Sequence, residues 1–128
     1  MKLSTQRLAA VLLPIFVLVP LFALLCGCHS PHIDVTVQNR TGAPIELLEV
    51  DYPSASFGAD SLSAGADFHY RIQVRLSGPV KVQYTESTTH QIRQITGPTL
   101  FERQEGRITI VLLPEDKAEF HPELTAKP

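Results

Sequence analysis

From Ile33 onward, apolar and polar residues alternate with period two, and turn residues interrupt the pattern about every 8 to 14 positions. Successive side chains of a strand point to opposite faces, so this periodicity describes half-buried β-strands rather than amphipathic helices. The clearest run places Phe68, Tyr70, Ile72, Val74 and Leu76 on one face and His69, Arg71, Gln73 and Arg75 on the other. Ser77-Gly78 then leads into Val80, Val82 and Tyr84, which predicts a hairpin. An earlier strand carries Ile33, Val35 and Val37 inward and ends in the turn Asn39-Arg40-Thr41-Gly42. Over residues 44–52 the apolar phase slips between Leu47 and Leu48, the signature of a β-bulge.

The rest of the pattern is weaker. Residues 53–66 read as a long connection with at most a short edge strand over 57–62, and residues 90–95 as a strand stopped by Gly97-Pro98. Residues 99–106 read as a loop or a single helical turn. Residues 107–113, with Ile108, Ile110 and Leu112 inward, make a last strand. Pro114 ends it, and residues 114–128 read as a flexible, charged C-terminal tail. The fold class expected is therefore all-β: a small antiparallel immunoglobulin-like sandwich of six or seven strands over residues 33–113. The Cys-Trp-Cys pins of antibody domains are missing, so aliphatic, Phe and Tyr packing must hold it.

Composition matters chiefly because it is uneven. Residues 8–25 are apolar except for Pro14 and Pro20, and they follow a short segment bearing Lys2 and Arg7 and no acid. This is the layout of an export signal, and its alternative reading is a retained transmembrane anchor, since 18 apolar residues approach the span of a bilayer. The stretch closes on Leu25-Cys26-Gly27-Cys28 and turns polar at His29-Ser30-Pro31. Those four residues resemble the lipobox of bacterial lipoproteins, with Leu25 three places before the acceptor and small residues beside the cleaved bond.

That resemblance implies a cleaved N-terminal signal helix over residues 1–27, a diacylglyceryl group on Cys28, and a lipid-proximal tether over residues 28–32. Cys26 departs mildly from the Ala or Ser usual at its place. In the same family an Asp after the lipidated Cys tends to retain the protein in the inner membrane, and His29 stands there instead, which favours the outer membrane. Two or more acyl chains anchor stably where one does not. Cys28 would then be occupied by lipid and Cys26 discarded, leaving no thiol for a nucleophile, a disulfide or a metal. Without Lys2 and Arg7, nine basic residues face thirteen acids, a balance that argues against a nucleic-acid-binding module.

Few residues suggest chemistry. His29, His32, His69, His90 and His121 show no strand or helix pairing typical of metal ligands, and a cupredoxin centre would need a Cys and usually a Met near the last strand. Ser54, Ser56, Ser61 and Ser63 lie in no Gly-x-Ser-x-Gly elbow. Glu49 and Asp51 share an exposed phase with Glu46 nearby, and paired acids could serve glycosidic chemistry, but the simpler reading is a solubilised strand. Arg71, Arg75, Arg93, Arg103 and Arg107 could form an anion-binding patch or a mixed, solvated surface. Aromatic residues Phe57 and Phe101, in the segments 52–58 and 96–101, are contact anchors if exposed and core if buried.

These readings assign no catalytic, cofactor-binding or metal residue, and Cys28 as the lipidation site. They describe a non-enzymatic, membrane-anchored lipoprotein of the bacterial cell envelope, lipid-held through Cys28, acting as a binding or accessory module for another envelope component. The competing reading is a small envelope hydrolase or metal-handling protein.

Overall fold

The computed structural model describes residues 29–126. Residues 1–27, read above as a signal, and Cys28 lie outside the described residues. Pro31 begins the compact unit that holds the whole folded domain. Among the described residues no helix is long and apolar enough to cross a membrane.

The domain is an all-β sandwich of two four-stranded sheets. Its strands are β1 (Ile33–Asn39), β2 (Ile45–Tyr52), β3 (Ala55–Leu62), β4 (Asp67–Ile72), β5 (Gly78–Glu86), β6 (Ile92–Leu100), β7 (Gly106–Leu113) and β8 (Lys117–Leu124). One sheet has the order β4-β1-β7-β8 and the other β3-β2-β5-β6. Eight strands replace the six or seven expected, and the sheets are not wholly antiparallel, because β1 and β7 run parallel in register from Ile33↔Gly106 to Asn39↔Leu112. The inward phases meet as predicted. Val35, Val37, Ile108 and Ile110 from one sheet face Val50, Val82 and Tyr84 from the other, all at most 2% exposed. Apolar area removed from water is the main stabilising term for such a core, at roughly 25 cal/mol per Å².

The bulge in β2 is present. Leu47 takes a left-handed backbone (φ 51), and the register of β2 against β5 shifts between Glu46 and Glu49. On the other side of β2, a Cβ at position 58 would collide with the Leu48 carbonyl oxygen, so the bulge requires Gly58.

Three expectations are corrected. The hairpin predicted at Ser77-Gly78 does not form: β4 pairs with β1, whereas β5 pairs with β2 and β6. Residues 73–77 instead cross from one sheet to the other. Ile72 and Val74 remain buried through the crossing, because both sheets point their inner residues at one core, and alternation cannot distinguish an arch from a hairpin. Secondly, β3 is a full eight-residue edge strand, and β6 runs through Gly97-Pro98. A proline is tolerated there because β6 is outermost in its sheet and carries a register shift opposite that segment. Thirdly, the segment read as a flexible tail contributes β8, antiparallel to β7. Phe120 of β8 reaches across to β6, its ring filling the space a side chain at Gly97 would need.

A buried amide ties the far end of the sandwich together. Asn39 is fully buried, and its Nδ2 donates to the carbonyls of Ala43 (2.9 Å), Leu62 (3.0 Å) and Ser63 (3.2 Å). Its Oδ1 accepts from the Thr41 amide (3.1 Å) and hydroxyl (2.7 Å). One side chain thereby joins the exit of β1, the entry to β2 and the exit of β3.

Candidate functional site

The outermost strands β3 and β4 belong to different sheets and lie on the same side of the sandwich, and aromatic side chains close the gap between them. Phe57 hangs inward from β3, while Phe68 and Tyr70 hang inward from β4. Phe57 stacks on Tyr70 with ring centroids 4.6 Å apart and planes 8° from parallel. Phe68 lies 6.3 Å from Phe57, and Tyr52, at the end of β2, lies 6.4 Å away at 50°. Such offset and tilted pairs are worth about 0.5–1.5 kcal/mol beyond the area they bury. Phe57 is only 7% exposed, but Tyr70 is 48% exposed because no strand lies beyond β4 to cover its outer side.

Along this free edge runs an open groove of about 560 Å³, lined by Leu47, Glu49, Ser56, Phe57, Gly58, Asp60 and Phe68 among others. Leu47 is 65% exposed as well as left-handed, a combination that costs energy in an isolated fold and recurs at contact sites. The rim is acidic. Asp51, beside Glu49 on the outer face of β2, hydrogen-bonds and repels its carboxyl, raising the Glu49 pKa above the ordinary value of 4.5. Burial does the same for the Tyr52 phenol, lifting it above 10.0. An aromatic floor, an acidic rim and unpaired strand-edge backbone together suit an extended segment that adds to the edge and brings cationic or apolar side chains.

A second, smaller hollow of about 300 Å³ lies on the other side of Tyr70, lined by Asp34, Thr36, His69 and Arg71. Here Thr36 Oγ1 and His69 Nδ1 are 2.9 Å apart, a hydroxyl–imidazole pair on an exposed sheet face. The acid that would orient an imidazole is engaged elsewhere: Asp34 accepts from Arg71 Nε at 2.9 Å, which lowers its pKa below 3.8.

The remaining candidates are dispersed. His69 and His121 occupy one row of the outer face, linked in register through Thr36 and Thr109, but sit on the outermost strands, roughly 14 Å apart at three strand spacings. His121 pairs with Glu119 at 3.0 Å, His90 sits in the β5–β6 turn with φ 57, and His29 and His32 precede β1. Among the described residues no group of three His, Cys, Asp or Glu comes together. Ser54 accepts from the Arg75 amide and donates to the Gln73 carbonyl, fastening the β2–β3 turn to the crossing segment. Ser56 lines the groove, while Ser61 and Ser63 fall at the end of β3 and just beyond it.

The arginines form no single patch. Arg71 and Arg107 alternate with Asp34 and Glu123 across the first sheet, in ion pairs of 2.9 and 3.2 Å. Arg93 lies toward the opposite end, bound to Glu86 (3.1 Å) and Asp116 (2.7 Å). Arg75 and Arg103 sit in connections at the end where β1 begins. Phe57 is core at its inner edge and Phe101 is half-buried. The exposure of Tyr70 was not recognisable from the sequence, because it depends on which strands end up outermost, whereas that of Leu47 follows from the bulge in β2.

No family model matches the chain, and no curated protein does. Among solved structures the chain is similar to the NMR structure of a protein from Eubacterium rectale, at 11% identity and a TM-score of 0.54, over 76% of this chain and 95% of the other. That likeness supports the sandwich fold.

Proposed function

We propose that this chain is a lipid-anchored binding or accessory module of the bacterial cell envelope, held by a diacylglyceryl group on Cys28 and contacting its partner through the free β3/β4 edge. The anchoring half of the reading is supported by the lipobox residues Leu25-Cys26-Gly27-Cys28 and by the absence of Asp after Cys28, which favours the outer membrane. The observation that carries the binding half is the exposed aromatic edge. Tyr70, half exposed, stacks on Phe57, which lines the open groove together with the exposed Leu47. Exposed apolar surface gathered at an unpaired sheet edge marks interaction sites, whereas scattered apolar residues do not.

The finer fold assignment, an immunoglobulin-like sandwich, is supported by strand order. The neighbours β4-β1 and β3-β2-β5-β6 follow the E-B and C′-C-F-G orders of that architecture. The place beside strand B that strand A normally takes is filled by β7, running parallel to β1.

The test is site-directed photocrosslinking in intact cells, with a photoreactive amino acid at Tyr70 and, as a control, at Gln94 on the outer face of β6. The reading expects a discrete adduct from position 70 and none from position 94. Recovery of monomer alone from both positions overturns it.

A further inference from the structure

Among the described residues the outer edge of β4 is a strand edge without protection, and we propose that it pairs antiparallel with β4 of a second copy of this chain. The β4-β1-β7-β8 sheets of the two copies then form one continuous sheet. The inference rests on the edge-contact reading above and names the partner at that edge. An open edge templates further pairing, and the other outermost strands carry features that blunt it. β6 contains Pro98 and a register shift, β8 contains Pro122, and β3 places Gly58 against the β2 bulge. β4 has no Pro, Gly or bulge, and the side chains it turns inward are Phe68, Tyr70 and Ile72.

The backbone groups that face this edge follow from the ladder on its other side. The His32 carbonyl accepts from the Gly106 amide and the Arg40 amide donates to the Leu112 carbonyl, so the even-numbered residues of β1 bond to β7. The Asn39 amide donates to the Ala66 carbonyl, so the odd-numbered ones bond to β4. Ile33, Val35 and Val37 therefore hold Ile72, Tyr70 and Phe68, and the N–H and C=O groups of Asp67, His69 and Arg71 point to the free edge. A two-fold axis at His69 engages all three residues, through about six backbone hydrogen bonds.

In that register Asp67 lies opposite Arg71 of the second copy, and Arg71 opposite its Asp67. Moving the axis to Tyr70 or Phe68 carries Asp67 or Arg71 past the end of the facing strand. The charges of β4 are thus complementary to those of β4 itself, which selects a second copy as the occupant. Arg71 binds Asp34 through Nε and Asp67 binds Arg40 through Oδ1, so the terminal guanidinium nitrogens and Asp67 Oδ2 serve the new pair. Arg40 and Asp67 of one copy then continue into Arg71 and Asp34 of the other as a row of alternating charge. On the inward face Tyr70, 48% exposed in a single copy, gains Phe68 of the second as cover. Because the copies are antiparallel, their tethers leave from opposite ends of the shared sheet. Cys28 precedes Ile33 by five residues, roughly 17 Å when extended, so both reach one bilayer when the strands lie parallel to its surface. Confinement to that surface raises the effective concentration, so a short strand pair suffices.

The test uses the full chain in intact cells, with a photoreactive amino acid at position 70, which the register places opposite Phe68 of the second copy. The expected adduct has the mass of two chains, and its crosslink maps to β4. Asp67→Arg sets like charges face to face at both pairs and should lower the adduct roughly tenfold, as should Arg71→Asp. Coexpressing these two variants under different tags restores opposite charges at both pairs, and an adduct bearing both tags should return. His69→Pro removes an N–H that faces away from β1, so β4 keeps its place in the sheet while the adduct is lost. An adduct of any other mass overturns the second copy as partner and leaves the edge-contact reading standing, whereas monomer alone overturns both. A two-chain adduct that is indifferent to charge reversal, that mixing fails to restore, or that persists with His69→Pro also overturns the proposal.

Discussion

Replacing Asn39 by Ala removes an amide that joins three segments, and the size of the effect follows from its bonds. Nδ2 has two protons and three carbonyl partners at 2.9–3.2 Å, so one proton is shared, and Oδ1 accepts twice from Thr41. A net hydrogen bond contributes about 1 kcal/mol, and a buried carbonyl left without a donor costs about 1–3 kcal/mol more. The Leu62 carbonyl, bonded to Asn39 within the core, is the one that water cannot easily rescue. The sum is about 3–5 kcal/mol, a large share of the 5–15 kcal/mol typical of a small domain. Urea unfolding followed by circular dichroism should show a much lower midpoint at unchanged slope. Asn39→Asp gives an independent check. Its ionised carboxylate faces three carbonyl oxygens, so the folded pKa lies above the unfolded value of about 3.9. Stability of that variant is then fullest below about pH 4 and falls as pH rises through the folded pKa. A loss below about 1 kcal/mol for Asn39→Ala, or a pH-independent Asn39→Asp, would refute the reasoning.

Leu47→Gly relieves a left-handed leucine and should stabilise the domain by about 0.5–1 kcal/mol, while lowering the crosslinking yield from position 70 if Leu47 belongs to the contact surface. Gly97→Val displaces the Phe120 ring and should cost about 1–3 kcal/mol in thermal unfolding. Combined with Phe120→Ala, it should cost clearly less than the two separate losses added together. Hydrogen bonds from Thr89 and then Arg93 hold the Glu86 pKa below 4.5, so its contribution is present above that value and is lost as pH falls through the depressed pKa. The stability gap between wild type and Glu86→Gln should accordingly be open at pH 7 and close in acid.

Much of the sandwich was legible because period-two alternation reports directly which residues face a core. It located β1, β2 with its bulge, β5 and β7, and it identified Val35, Val37, Val82 and Ile110 as inward. It could not assign strands to sheets, since Ile72 and Val74 meet the same core before and after the crossing. The segment that becomes β8 did carry a signal: Ala118, Phe120, Pro122 and Leu124 alternate with Lys117, Glu119, His121 and Glu123. Its prolines and charges resembled a tail, yet both suit an outermost strand. The aromatic edge was hidden for a related reason. Phe57, Phe68 and Tyr70 read as core, and only the pairing of strands leaves Tyr70 at a border with solvent. Asn39 read as a turn residue, because nothing local reveals that its amide would reach Leu62 and Ser63.

Mass spectrometry of the protein isolated from cells, wild type against Cys28→Ala, tests the membrane-anchored account most directly. The wild type should lack residues 1–27 and carry a diacylglyceryl-modified Cys28 at its N-terminus, with that added mass absent from the variant. Recovery of wild type with its N-terminus intact, or of a processed chain whose Cys28 bears no lipid, would contradict it.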